Sequence, residues 1–102
     1  MDLPYTVTLQ GFDDLPAAER IACELRFIKE LEKALGGADG VVSVYGAWRD
    51  ASESEPGELS AATSNLAMKW PKAFESAQRS GLKNVGESDA HFELRVERPL
   101  AA

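Results

Sequence analysis

The sequence predicts a small α+β domain of ferredoxin-like order, βαββαβ, in which two helices cover one face of a four-stranded antiparallel sheet. Three observations lead to this fold class. Apolar residues alternate near both ends of the chain, a long helical stripe follows the first alternation, and Pro71 lies where a strand could give way to a helix. At 102 residues the chain fits one domain, 1–102.

The first two elements are a strand at about residues 4–11 and a helix from about Leu15 to Leu35. In the strand, the larger apolar side chains occupy every second position, at Leu3, Tyr5, Val7 and Leu9. Pro16 suits the first turn of the helix, and the glycine pair after Leu35 suits its end.

This helix carries apolar residues on two sides. The main stripe, which we expect to cover the sheet, consists of Ala18, Ile21, Ala22, Leu25, Ile28 and Leu35. A second ridge, on the side that a two-layer domain leaves exposed, consists of Cys23, Phe27, Leu31 and Ala34. A contiguous apolar ridge usually meets another surface, so we expect a dimer or partner interface there. Packing under residues 49–61 or under the C-terminal tail is the competing explanation.

The middle of the chain is predicted to be a strand followed by a loop. Residues 41–48 are rich in β-branched and aromatic side chains, which favours a strand. Residues 49–61 are polar and acidic and contain Pro56 and Gly57, which indicates an exposed acidic loop. Another strand is predicted at residues 91–97, where the residues on one face are Phe92, Leu94 and Val96.

The segment around Pro71 decides the number of strands. Leu66, Met68 and Trp70 alternate before the proline, and a proline in a helix interior costs about 3 kcal/mol. We therefore expect a strand at about residues 62–70 and a helix from Pro71 to about Ser80. The alternative is a helix at about residues 58–68, which leaves only three strands.

Composition limits the classes of partner. The formal net charge is −6, from 17 acidic and 11 basic residues, which disfavours nucleic acid and suits a basic protein partner. No apolar stretch reaches bilayer length and no signal peptide is recognisable, so we expect no membrane association. A single cysteine fits a reducing, cytoplasmic location.

The residues that could carry chemistry do not form a catalytic pattern. His91 is the only histidine and is expected on the polar face of its strand, without a visible polarising partner. Zinc prefers four histidine or cysteine ligands, and the chain holds one of each, so no metal site and no cofactor are expected.

The sequence therefore favours a small acidic, non-catalytic interaction module, homodimeric and engaging a protein partner as an inhibitor, immunity or accessory protein does. The alternative is a small-molecule-binding protein or a cofactor-independent small enzyme. With Trp70 closing a strand and Ala73-Phe74 opening a helix, residues 40–80 resemble the dimeric α+β barrel group, which includes small monooxygenases. Under that alternative we expect a ligand pocket lined by Tyr45, Trp48 and His91.

Overall fold

The structure is a computed structural model that describes residues 4–11, 15–55, 57–58, 60–83 and 89–96. Its elements are β1 (Tyr5–Gln10), α1 (Ala17–Leu35), α2 (Ala38–Glu53), α3 (Ala61–Gly81) and β2 (His91–Val96). Helix α3 packs against both α1 and α2, and the two strands form one antiparallel sheet. The chain is α+β in the broad sense, but the predicted ferredoxin-like fold is wrong, because the sheet formed by the described residues has two strands instead of four.

Both terminal strands are confirmed, and their register is antiparallel from Tyr5 opposite Val96 to Gln10 opposite His91. The backbone N–H of Leu9 donates to Glu24 Oε2 (3.0 Å), and that of Phe92 donates to Gln78 Oε1 (3.4 Å). Both N–H groups of this opposed pair thus point away from the sheet. Because antiparallel pairs alternate, the N–H and C=O groups of every second residue along each strand also point outward.

Helix α1 is confirmed, but its core face is mainly the predicted second ridge, without the exposed Ala34. Ile28 and Leu35 of the predicted main stripe also pack against the core. Phe27 and Leu31 are fully buried in the core together with Cys23, whereas Ile21 and Leu25 are 54% and 59% exposed. Periodicity identifies two apolar sides without ranking them. The Phe27 side is the buried one because its ring meets rings from both α3 and β2.

The strand predicted at residues 41–48 is wrong, because this segment lies inside α2. Its apolar residues also fit a helical stripe, with Val41, Val44, Tyr45 and Trp48 at spacings of three, four and seven from the first. Val41 and Val44 are buried in the core, and this packing overrides the modest β-preference of their side chains. The acidic loop is also shorter than predicted, since α2 continues to Glu53 and α3 begins at Ala61.

The strand predicted at residues 62–70 is wrong as well, because α3 runs through Pro71. The alternative helix at 58–68 was closer, although it ended too early. The buried residues of α3 recur at helical spacing on both sides of the proline: Ala67, Trp70, Ala73 and Ala77. Pro71 itself is exposed, so only its missing N–H and its ring disturb the helix. Contacts of α3 with α1 and α2 offset this cost.

Candidate functional site

An open groove of about 500 Å³ lies between α2, α3 and β2. We call it the aromatic groove; the residues that line it are Tyr45, Trp48, Trp70, Pro71, Phe74, Glu75, Gln78, Phe92 and Leu94. The helical residues come from one turn of α2 and two turns of α3. The groove therefore depends on α2 and on the unbroken α3, the two features that the predicted fold lacked.

Three rings in the wall of the groove contact one another. The centroid of Trp70 lies 5.0 Å from that of Tyr45 and 6.3 Å from that of Trp48, and Tyr45 and Trp48 are 6.0 Å apart. Trp70 is only 4% exposed, while the other two rings are half-buried. Such contacts add to the stability gained from burial, so this wall is formed before any ligand arrives.

The same ring system continues into the core. Phe74 lies 5.7 Å from Trp70 on the groove side and meets the buried ring of Phe27 edge-on at 5.3 Å. Phe27 in turn stacks on Phe92 of β2. The position of the groove relative to the sheet is therefore set by close packing through the core.

Two polar side chains of the groove, Glu75 and Gln78, lie on α3. Glu75 is exposed at its rim, and the Gln78 side chain accepts the hydrogen bond from the Phe92 N–H. Outside the rim, the guanidinium of Arg49 lies 5.8 Å from the ring centroid of Tyr45. The groove lining thus holds one carboxylate, Glu75, together with the Tyr45 phenol and the Gln78 amide.

The groove ends at the outer edge of β2. Leu94 lines it, and by the alternation of the pairing its backbone N–H and C=O point away from β1. The Leu94 N–H has no hydrogen-bond partner among the described residues. An apolar surface and the N–H of Leu94 are thus side by side.

Two of the three residues expected to form a pocket lie in this groove, namely Tyr45 and Trp48. His91 lies outside it, exposed at the start of β2. Its Nδ1 is 3.1 Å from the carbonyl oxygen of Asp89, and its Nε2 is 3.9 Å from Glu93 Oε1. The structure therefore brings together the aromatic pair and separates the histidine from it.

The ridge expected to form an interface is divided by the fold. Cys23, Phe27 and Leu31 lie in the core, covered by the chain itself, so they offer no surface to a partner. Ala34 is exposed and lines a second, shallower pocket of about 310 Å³. The four residues therefore do not form the exposed apolar ridge on which the predicted interface depended.

The groove residues that sequence reasoning missed share a helical signal. Trp70, Phe74 and Gln78 are spaced four apart, as residues on one helix face must be. Pro71 lies between Trp70 and Phe74 and obscures this signal, because a proline in a helix interior is costly. Leu94 and Phe92 were assigned to the inward face of their strand, and that face is the one that meets the groove.

The described part of the chain contains no group of three or more histidine, cysteine, aspartate or glutamate residues placed to hold a metal ion. None of its helices combines the length and the apolar character that crossing a bilayer requires. The similarity of residues 40–80 to the dimeric α+β barrel group also fails, since the segment forms two helices instead of a strand and a helix. Comparison of the chain with protein-family models, curated proteins and solved structures gave no match.

Proposed function

We propose that this chain is a non-catalytic protein-interaction module whose working surface is the aromatic groove. Its ligand is an extended segment of a protein partner that places apolar side chains in the groove and pairs its backbone with β2. The observation that supports this proposal is the position of the groove directly beside the outward-pointing backbone groups of Leu94. Strand addition of this kind is a common mode of peptide recognition.

The shape of the groove favours a polypeptide over a small molecule. Sites for small molecules usually enclose most of the ligand surface, whereas this groove is open to solvent. A small apolar ligand would also leave the N–H of Leu94 without a partner, and a buried unpaired N–H costs about 1–3 kcal/mol. An extended peptide supplies both the apolar side chains and the carbonyl oxygens.

The negative charge of the chain favours some partner segments over others. The chain carries a formal net charge of −6, and Glu75 is exposed at the groove rim. Long-range attraction therefore favours segments in which basic residues alternate with the apolar ones. We place the module in the cytoplasm, because its one cysteine is a buried free thiol, which suits a reducing compartment.

Tryptophan fluorescence tests this proposal directly. The chain has two tryptophans, Trp48 and Trp70, and both line the groove, so their emission reports its occupancy. An acetylated peptide of alternating leucine and lysine, which has no fluorescence of its own, is titrated into the protein. We expect a saturable shift in emission, and no shift with a peptide of alternating serine and lysine that has the same charge.

Variants locate the binding. Phe74→Ala removes a ring from the groove wall and should weaken binding of the leucine-lysine peptide about tenfold, in line with the loss of an aromatic contact at an interface. Met68→Ala is the matched control, because Met68 is on the same helix but is 71% exposed and outside the groove. If the two peptides gave the same response, or if both variants bound like the wild type, the aromatic groove would not be the binding surface.

A further inference from the structure

We propose that the partner segment at this edge is β2 of a second copy of this chain. The two β2 strands lie antiparallel, related by a two-fold axis beside Leu94, so that one sheet runs through both subunits. This inference rests on the proposed function and names the partner. Four features of the β2 edge support it, namely the direction of the backbone groups, the charges on the outer face, the contrast with β1, and the open groove beside Leu94.

The hydrogen-bonding groups of β2 match those of a second β2. The N–H and C=O groups that point outward belong to Phe92, Leu94 and Val96, because these residues lie opposite Leu9, Val7 and Tyr5 in the non-hydrogen-bonded pairs of the sheet. A two-fold axis beside Leu94 sets Leu94 opposite Leu94 of the partner subunit and Phe92 opposite Val96 of the partner subunit. Outward-pointing groups thus meet outward-pointing groups at every position.

The charges of β2 are complementary in the same register. Glu93 falls opposite Arg95 of the partner subunit, and Arg95 falls opposite Glu93 of the partner subunit. Glu93 and Arg95 are exposed, on the face of the sheet away from the core. These are non-hydrogen-bonded pairs, in which opposed side chains lie closest together. Opposite charges at such positions stabilise strand pairing, and like charges destabilise it.

The other edge of the sheet lacks these features. Along β1, the outward N–H of Leu9 donates to Glu24 of α1 at 3.0 Å, a shorter bond than the 3.4 Å bond from the outward N–H of Phe92 to Gln78 on the β2 edge. The polar face of β1 carries Thr6 and Thr8, so a two-fold pairing of β1 brings no opposite charges together. The edge of β2 is therefore the better surface for a second copy.

Pairing also completes the aromatic groove. The side chains of Leu94 of the partner subunit and Val96 of the partner subunit lie on the same face of the sheet as Leu94, which lines the groove. The carbonyl of Val96 of the partner subunit can accept the Phe92 N–H, which Gln78 holds at 3.4 Å in the single chain. A sheet continued across two subunits is also more stable than an isolated strand pair, which is marginal in water.

The test is the mass of the full chain in solution, measured by size-exclusion chromatography with light scattering at tens of micromolar protein. We expect twice the 11.1 kDa mass of one chain. The buffer contains about 150 mM salt, so that the net charge of each subunit is screened beyond about 8 Å. Glu93→Arg and Arg95→Glu each place like charges opposite one another twice, and each should raise the dimer dissociation constant about tenfold or more.

The double variant Glu93→Arg/Arg95→Glu restores opposite charges and should restore dimerisation. Within one subunit these two residues face Thr8 and Thr6, and Glu93 also lies 3.9 Å from the exposed His91, so the charge changes remove no buried contact of the single chain. A monomeric wild type, or a dimer whose dissociation constant is the same in all three variants, would overturn the inference. A monomer that still binds the leucine-lysine peptide would leave the proposed function standing, so the two failures are distinguishable.

Discussion

The ring of Phe27 in α1 stacks on the ring of Phe92 in β2, with centroids 4.4 Å apart and planes inclined by 24°. This contact joins α1 to β2, elements that are distant in sequence, and fixes which side of α1 is buried. It also sets the distance between β2 and α1, and Phe92 is at the same time part of the lining of the aromatic groove.

The buried side of α1 gives the first prediction. Leu31 is fully buried and Leu25 is 59% exposed on the same helix. Leu31→Ala should lower the free energy of unfolding by about 2–5 kcal/mol, because it leaves a cavity in the core. Leu25→Ala should change it by less than about 1 kcal/mol. Urea denaturation of both variants measures these changes. A larger loss of stability in Leu25→Ala than in Leu31→Ala would mean that the stripe first predicted to cover the sheet is the buried face of α1.

Pro71 gives the second prediction. If α3 is continuous, Pro71→Ala restores a backbone donor within the helix and should raise the free energy of unfolding by about 1–2 kcal/mol. Pro16→Ala is the control, because Pro16 precedes the first residue of α1, where proline is tolerated. Thermal unfolding reports both. Destabilisation by Pro71→Ala would mean that the proline begins a helix.

Two glycines of α2 give the third prediction. A Cβ on Gly40 would lie 1.7 Å from the carbonyl oxygen of Leu35, since only two residues separate α1 from α2. A Cβ on Gly46 would meet nothing within 4 Å. Gly40→Ala should therefore destabilise the fold by about 2 kcal/mol or more, as strained substitutions do. Gly46→Ala should stabilise it by about 0.5–1 kcal/mol. Equal changes in the free energy of unfolding for Gly40→Ala and Gly46→Ala would argue against the tight turn between α1 and α2.

The fourth prediction concerns alkaline pH. Burial of Tyr5, together with its 2.5 Å hydrogen bond to Glu32 Oε2 and the charge of that carboxylate, holds the pKa of its hydroxyl well above the ordinary value near 10. The unfolded chain loses the Tyr5 proton near pH 10, while the folded chain retains it. Stability from this group is thus complete below about pH 10 and falls as pH rises further.

Denaturation of the wild type and of Tyr5→Phe between pH 8 and about pH 11 measures this term. Tyr5→Phe should be less stable than the wild type at pH 8, because it lacks the bond to Glu32. The difference in the free energy of unfolding between the wild type and Tyr5→Phe should become smaller above about pH 10. A constant difference across the range would exclude a raised pKa for Tyr5.

The sequence was a good guide to elements with one consistent pattern. Strict alternation located β1 and β2, and caps and length located α1. It failed where two periods overlap, because Val41, Val44 and Trp48 fit both a strand rich in β-branched residues and a helical stripe. Tertiary packing against α3 decides between them, and that packing is not visible in a local pattern.

The groove was partly foreseen through Tyr45 and Trp48, although they were placed on a strand. Its remaining walls depend on α3, and the local cost of Pro71 hid them. The cost of about 3 kcal/mol for a proline inside a helix is large compared with differences in helix propensity between residues. It is small compared with the free energy gained by burying Trp70, Ala73 and Ala77. Summing burial over the whole face, instead of stopping at the proline, would have favoured the continuous helix.

The central claim is that the outer edge of β2, beside the aromatic groove, receives a strand from another polypeptide. Hydrogen exchange of single amides, followed by NMR, tests it most directly. The amides of Glu93 and Arg95 bond to β1 and should exchange slowly at every protein concentration. The Leu94 amide should exchange fast in dilute protein and slow by about tenfold or more when the protein is concentrated or the leucine-lysine peptide is added. A Leu94 amide whose exchange rate stayed the same under both conditions would contradict the account.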